Sequence, residues 1–268
     1  MDRSQPLAVG RTAELYPWPD GRVLKLFRPG WTEQAARSEV ARTRAVGDTG
    51  FPVPAAGDVI IVDGRPGIPL EAVPGRTMLD ALRDWPWSLW QSARLLAELQ
   101  ADLHRRAAVG LPLVKTHLAR RIYAADLPRD LRESMAALLE SLPDGDRVCH
   151  GDFHPDNVIL SPGGPVVIDW PDAAAGDPMA DVARTSLLLM GRGNLPSGRA
   201  PGVVLAARRA FQRAYLARYL RASGQDGASL ASWSAAAAAA RLAENIPGER
   251  QTLLRLVYRG LAAGPAGP

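Results

Sequence analysis

Several residue types and patterns are scarce in this chain of 268 residues, and each scarcity excludes a class of protein. The one cysteine, Cys149, cannot form an internal disulfide, which favours a reducing compartment and a buried position in a strand. No run approaches the roughly 18 apolar residues of a membrane-spanning helix, and Met1 to Leu7 has no apolar segment of signal-peptide length. We therefore expect a cytoplasmic protein that does not act at a membrane.

Lysine is nearly missing as well, because Lys25 and Lys115 are the only two among 32 Lys and Arg residues. The net charge of +4 could suggest a nucleic-acid partner, but the arginines are spread without a basic run or interleaved aromatic residues. A nucleic-acid site is therefore not expected. A lysine that is kept in an arginine-using chain is instead a candidate functional cation.

Residues suited to chemistry cluster in Val148-Cys-His-Gly-Asp-Phe-His-Pro-Asp-Asn-Val-Ile-Leu160 and in Val166-Val-Ile-Asp-Trp170. We expect Asp152, Asn157 and Asp169 on two short strands, which a Gly-rich turn at residues 161–165 folds against each other. The side chains of Asn157 and Asp169 then come together at one end of the hairpin.

This spacing fits phosphoryl transfer. Asp152 and Asn157 stand in the Asp-x4-Asn relation of the protein-kinase catalytic loop, in which a base precedes a metal ligand. Asp169 ends an apolar strand, where the kinase pattern has its second metal-binding carboxylate. Oxygen ligands of this kind are the ones that Mg²⁺ prefers. The pattern predicts a magnesium-dependent phosphotransferase.

Together with Gly176-Asp-Pro-Met-Ala-Asp181, the motif His150-Gly-Asp-Phe-His-Pro-Asp-Asn157 resembles the aminoglycoside phosphotransferase family. These are small-molecule kinases related to choline kinases and, more distantly, to protein kinases. The resemblance covers most of the chain and is specific between about residues 148 and 185. It implies that Asp152 is the catalytic base and that Asn157 and Asp169 bind magnesium.

The resemblance also implies two supporting residues. His150 would order the catalytic loop without taking part in the chemistry, and Asp181 would be a structural carboxylate that braces the loop. Asp181 is expected on an apolar helix that begins at Pro178, where a carboxylate requires a partner.

Two other functions fit parts of the same motif. His-x-Asp-x-His could belong to a binuclear metallophosphoesterase, but such sites need further histidines, and none follows His154. A kinase-fold module that binds a ligand without catalysis is the other alternative. Degenerate kinases usually lose the base, a metal ligand or the strand lysine, and all of these are present. A polar turn in an ordinary α/β domain does not explain Asp169.

Lys25 lies in the alternating run Gly21-Arg-Val-Leu-Lys-Leu-Phe27, which is predicted to be the second strand of a hairpin. Kinases use a strand lysine to hold the α- and β-phosphates of the nucleotide, and a helical carboxylate positions that lysine. Glu39, in the middle of a helix capped by Thr32, is the predicted partner. Upstream, the turn of the first hairpin contains Gly10, and its main-chain amides are expected to cover the phosphates.

The resemblance predicts an α+β, bilobal protein-kinase-like fold with a small β-rich N-lobe that has one helix and a larger, mainly helical C-lobe. The lobes are expected at residues 1–75 and 76–268, with the hinge at about 71–76. Glu71 to Val73 would read adenine through main-chain groups. Capping boxes at Thr77 and Ser88 are predicted to open helices, and His104 is expected to be a packed core residue. A breaker-rich linker is predicted at residues 191–202.

The C-terminal tail bears on the acceptor, because in the family the C-terminal helices line the acceptor pocket. Between residues 203 and 268 there are three acidic residues and nine arginines, whereas a polycationic aminoglycoside would favour an acidic cleft. We therefore expect a different small-molecule hydroxyl acceptor, with Asp156, Asp172 and Glu244 as candidate contacts. The nucleotide is expected to be ATP, with GTP as an alternative, and the protein to be a monomer or homodimer.

Overall fold

The computed structural model describes residues 5–191 and 201–263. Residues 1–4 and nearly all of the linker predicted at 191–202 lie outside these ranges. Within them, no helix is long and apolar enough to cross a membrane.

The N-terminal part is a five-stranded antiparallel sheet in the order β1-β2-β3-β5-β4. Two of its hairpins turn at Asp20-Gly21 and Asp63-Gly64, and all four residues have positive φ, as tight hairpin turns require. The predicted helix follows the third strand, and the Thr32 side chain accepts a hydrogen bond from the N–H of Ala35. The elements are β1 Ala8–Val9, β2 Ala13–Trp18, β3 Arg22–Phe27, α1 Glu33–Gly47, β4 Ile60–Val62 and β5 Arg65–Glu71.

The C-terminal part is mainly helical, and three short strand pairings support its catalytic loop. Its helices are α2 Met78–Asp84, α3 Leu89–Leu103, α4 Val114–Ala124, α5 Arg129–Ser141, α6 Pro178–Met190, α7 Pro201–Ser223, α8 Leu230–Arg241 and α9 Arg250–Ala263. Its strands are β6 Arg76–Thr77, β7 Arg147–Cys149, β8 Val158–Ser161, β9 Gly164–Val167 and β10 Ala174–Gly176. Strand β8 pairs with β6 and β9, and β7 pairs with β10.

A large apolar core joins the helices behind these strands, and a smaller core lies between the N-terminal sheet and α1. The Ala-rich helix α8 is buried along most of its length, which lets α6 and α9 pack closely against it. As predicted, Cys149 is buried in a strand and is unable to form a disulfide. The mixed antiparallel N-lobe and helical C-lobe confirm the predicted fold class, whereas the lobe boundary near residue 75 stays a prediction.

Two sequence-based expectations need correction, and one helix was missed. Asp152, Asn157 and Asp169 do not lie on the strands β8 and β9, since they flank them in a loop, a short 3-10 turn and the segment after β9. The Thr77 capping box forms, but Ser88 makes no cap. Its hydroxyl donates to the carbonyl of Trp85, because a 3-10 turn at Pro86–Ser88 already precedes α3. Helix α4 was not anticipated.

Candidate active site

The centre of the site is the loop between β7 and β8, and Asp181 holds that loop from behind. Its carboxylate accepts hydrogen bonds from the main-chain N–H groups of His150 and Gly151, at 3.0 and 2.7 Å. Side-chain donors complete the shell, with Gln100 Nε2 at 2.9 Å and His104 Nε2 at 3.1 Å. Burial alone would raise the pKa of Asp181, but the hydrogen bond and charge of His104 outweigh it and lower the pKa to about 2.

His150 connects the loop to the segment that carries Asp169. Its Nε2 donates to the carbonyl of Ile168 at 3.1 Å, and its Nδ1 accepts from the N–H of Asp152 at 3.2 Å. This pattern fixes a neutral imidazole, and complete burial accordingly lowers the pKa of His150. The ring also packs against Trp170, with centroids 4.3 Å apart.

Gly151 is required for the tight path of this loop. It has a φ of +80°, and a Cβ atom there would lie 2.8 Å from the Cβ and carbonyl oxygen of Asp172. Any side chain would therefore push Asp152 out of place.

Asp152 is held more loosely than Asp181. Its two carboxylate oxygens lie 3.4 Å from Arg184 Nη2 and 3.4 Å from His154 Nε2, and its side chain is 29% exposed. Burial favours the neutral form, but His154 and Arg184 lower the pKa of Asp152 below its ordinary value, so the group is ionised at neutral pH. An ionised carboxylate that faces solvent can accept a hydrogen bond from a substrate hydroxyl.

Asn157 and Asp169 are brought side by side through the main chain, because the N–H of Ile168 donates to the carbonyl of Asn157 at 3.0 Å. The Asn157 amide nitrogen donates to the carbonyl of Asp152 at 2.9 Å, which leaves its oxygen as the group that can bind a cation. Asp169 adopts a φ of +68°, a left-handed conformation that costs a non-glycine residue about 1 kcal/mol and is typical of functional sites.

The nucleotide side of the site is centred on Lys25. Its Nζ lies 2.6 Å from Glu39 Oε1, so the predicted contact between strand β3 and helix α1 is present. It also lies 2.6 Å from Asp169 Oδ1, a contact that the sequence did not indicate. Burial lowers the pKa of Lys25, but the two carboxylates more than offset this and raise it above its ordinary value.

The other predicted nucleotide contacts are main-chain positions. The N–H of Gly10 closes the first turn by donating to the carbonyl of Ala13, and phosphate binding by the amides that follow it stays a prediction. The N–H groups of Glu71 and Ala72 donate to Ala55 and Gly21 within the protein. The Glu71 side chain also accepts from the N–H of Ala55 at 3.1 Å, which gives Glu71 a structural task at the strand end.

The three carboxylates that were predicted to contact the acceptor have different surroundings in the structure. Asp156 is exposed beside the catalytic loop, where its N–H donates to His154 Nδ1. Asp172 forms a two-pronged ion pair with Arg121, at 2.8 and 3.0 Å. Glu244 contacts three arginines: Arg184 at 2.7 Å, Arg241 at 3.0 Å and Arg121 at 3.4 Å.

Sequence reasoning missed several residues of this site, of which Arg184 is the most important. Its Nη2 bridges Asp152 and Glu244, and its Nε donates to the carbonyl of Gly151 at 3.2 Å. Position 184 follows Asp181 by three residues on α6, so both lie on the helix face toward the loop, which is the one signal that could have revealed it. His104 is packed in the core as predicted, and it also donates to Asp181.

Comparison with known proteins agrees with this geometry. A family model described as "Phosphotransferase enzyme family" matches residues 11–233, whereas no curated protein sequence matches the chain. The chain is similar in structure to an aminoglycoside-3'-phosphotransferase of type VIII, with a TM-score of 0.61, 23% identity and coverage of 90% of each chain. An amicoumacin kinase in complex with AMP-PNP, Ca²⁺ and Ami gives a TM-score of 0.63 at 14% identity, covering 98% of this chain and 89% of that one.

A choline/ethanolamine kinase family protein from Mesorhizobium loti gives a TM-score of 0.60 at 15% identity, with coverage of 97% of this chain and 91% of that chain. At these identities the solved structures establish the protein-kinase-like fold alone, while the family model covers most of the sequence. The chain therefore belongs to the phosphotransferase enzyme family.

Proposed function

We propose that this protein transfers the terminal phosphate of a nucleoside triphosphate, ATP in the first instance, to a hydroxyl group of a small molecule. The proposal is carried by three segments that are separated in the chain and meet here: strand β3 with Lys25, the loop with Asp152 and Asn157, and the segment after β9 with Asp169. A similar fold has been solved with AMP-PNP and Ca²⁺ bound, which supports a nucleotide and a divalent cation here.

In this mechanism Asp152 accepts a hydrogen bond from the acceptor hydroxyl and aims its oxygen at the phosphorus. The new oxygen–phosphorus bond forms as the bond to the nucleoside diphosphate breaks, and the hydroxyl proton passes to Asp152 and then to solvent. Asp152 is ionised and partly exposed, so it can orient the hydroxyl and take its proton as the oxygen–phosphorus bond forms.

Lys25 would bind the phosphates once it exchanges its contact with Asp169 for the nucleotide, and Glu39 would keep it in place. The oxygen atoms of Asn157 and Asp169 fit Mg²⁺, which prefers hard oxygen ligands and retains several waters. That ion would neutralise phosphate charge. We also propose that the chain passes between the lobes at residues 71–76 and that main-chain groups of Val73 contact the base.

The test is a mass-spectrometric search for an added phosphate in a library of hydroxylated metabolites and antibiotics, incubated with the protein, ATP and Mg²⁺. Phosphorylation of at least one compound, lost in the Asp152→Asn variant, supports the proposal. Magnesium-dependent ATP binding without any product would favour a non-catalytic binding module. Release of phosphate from simple phosphate esters without ATP would instead point to a phosphoesterase.

A further inference from the structure

A cavity of about 450 Å³ opens beside the catalytic loop, which is within the size range of small-molecule binding sites. Its walls come from α2, the C-terminal end of α6 and the first turns of α7, and its floor includes His154 and Pro155. His154 Nε2 is 3.4 Å from the carboxylate of Asp152, so the cavity adjoins the group that would receive the acceptor hydroxyl.

The walls of this cavity are largely apolar. Leucine, valine and phenylalanine side chains from α2, α3, α6 and α7 line it, including Leu79, Leu82, Leu188, Val204 and Phe211. Such a surface favours a ligand with an apolar body, because moving that body from water into the cavity is favourable by about 25 cal/mol per Å². A charged amine placed against the same walls would lose hydration without gaining a partner.

The charges around the cavity offer a cation few unpaired carboxylates. Among the described residues that line it, Asp156 is the one carboxylate, and the arginines Arg83 and Arg241 are paired with acidic residues of the protein. Two acidic residues on this side of the catalytic loop are already bound to arginine: Glu244 contacts Arg184 and Arg241, and Asp172 contacts Arg121. A polycationic ligand would have to displace these pairs or approach like charges.

We propose that the acceptor is an uncharged alcohol with an apolar body, which occupies this cavity and presents its hydroxyl to Asp152 past His154. The inference rests on the proposed phosphotransferase function, and it names the class of molecule that this site accepts. The hydroxyl oxygen becomes bonded to phosphorus, the nucleoside diphosphate leaves, and the proton goes to Asp152.

Binding is tested by calorimetry with octyl β-glucoside below its critical micelle concentration, methyl β-glucoside and kanamycin. The two glucosides share their sugar hydroxyls and differ in the apolar chain. We expect octyl β-glucoside to bind at least about tenfold more tightly than methyl β-glucoside, and kanamycin to bind more weakly than octyl β-glucoside. Equal affinities for the glucosides, or tighter binding of kanamycin, would overturn the inference.

The Val204→Glu variant places a carboxylate in the cavity wall, and Ala206→Glu places the same side chain on the exposed face of α7 as a matched control. V204E should remove most of the preference for the octyl chain, and A206E should keep it. If V204E does not fold, Val204→Trp fills the cavity with apolar volume and should weaken octyl β-glucoside binding as well. An unchanged preference in the folded Val204 variant contradicts the assignment.

Binding and phosphorylation measured together distinguish a wrong acceptor class from a wrong reaction. If kanamycin is phosphorylated while octyl β-glucoside does not bind, the phosphotransferase function stands and the acceptor class is wrong. If octyl β-glucoside binds in the cavity but no hydroxyl compound is ever phosphorylated, the ligand class stands and the proposed function fails.

Discussion

Two aspartates contact neighbouring parts of the catalytic loop, and one of them, Asp181, is buried while the other, Asp152, is partly exposed. Asp181 has two main-chain and two side-chain donors within 3.1 Å, and it is almost completely enclosed. Asp152 has Arg184 Nη2 and His154 Nε2 at 3.4 Å and remains partly exposed. The filled shell makes Asp181 a brace, whereas the open shell of Asp152 leaves room for a substrate.

The largest effect on activity is expected from a substitution of Asp152, whose surroundings are open to substrate. Asp152→Asn keeps the size of the side chain but cannot accept the hydroxyl proton, so we expect kcat to fall by roughly a thousandfold. Steady-state kinetics with any acceptor found in the screen measures this. ATP affinity and the thermal unfolding midpoint should stay close to those of the wild type. Near wild-type turnover would show that another group takes the proton.

The second largest effect is expected at Lys25. Like Asp181 it is buried, but it has to exchange its contact with Asp169 for the nucleotide. Lys25→Met should raise the KM for ATP by about a hundredfold, because the phosphates lose their buried cation. The change leaves Glu39 unpaired, so the double variant K25M/E39Q separates lost binding from lost stability. Lys115→Met, at the other lysine, is the matched control and should bind ATP normally. Equal KM values in both variants would remove Lys25 from the site.

A substitution of Asp181, which four hydrogen-bond donors enclose, is expected to affect stability more than activity. Asp181→Asn loses the ionised acceptor of four hydrogen bonds, and we expect the free energy of unfolding to fall by about 2 kcal/mol at neutral pH. Since the pKa of Asp181 is lowered to about 2 in the folded state, its contribution is present above about pH 4 and is lost as the pH falls toward 2. Urea unfolding at several pH values should therefore show the two proteins converging in acid. A constant difference would contradict this account.

The smallest effect is expected from a substitution of Arg184. Its side chain contacts Asp152 and the carbonyl of Gly151, whose N–H donates to Asp181. Arg184→Lys keeps the positive charge but loses the forked geometry that holds Asp152, Gly151 and Glu244 together, so kcat should fall about tenfold. The KM for ATP should not change. Arg218→Lys, which alters an arginine–glutamate pair away from the site, is the control. An effect on KM alone would mean that Arg184 does not position the base.

Much of the candidate site could be predicted because it is encoded by local spacing. The Asp152 to Asn157 interval, the strand before Asp169 and the alternating run around Lys25 follow from neighbouring residues, as do both hairpin turns of the N-terminal sheet. The Lys25–Glu39 contact was also foreseeable, since a charged residue in an apolar strand requires a buried partner from the next helix.

Other features could not be found from local sequence. Helix α4 is rich in charged residues and buries little beyond Ile122, so its apolar pattern is weak. The Ser88 capping box matches the usual pattern, yet a preceding 3-10 turn takes over its position. The Lys25–Asp169 pair spans 144 positions, and only the folded chain brings those residues together.

The sequence by itself predicted the phosphotransferase family and the protein-kinase-like fold, and it singled out Asp152, Asn157 and Asp169 as the proposed base and metal ligands, because these residues lie in short motifs with fixed spacing. The tertiary structure decided which aspartate is enclosed and which is open, and it placed Arg184 between them. It also formed the apolar cavity from helices that are far apart in the chain. Burial and charge pairing depend on every neighbouring segment at once, so no single stretch of sequence encodes them.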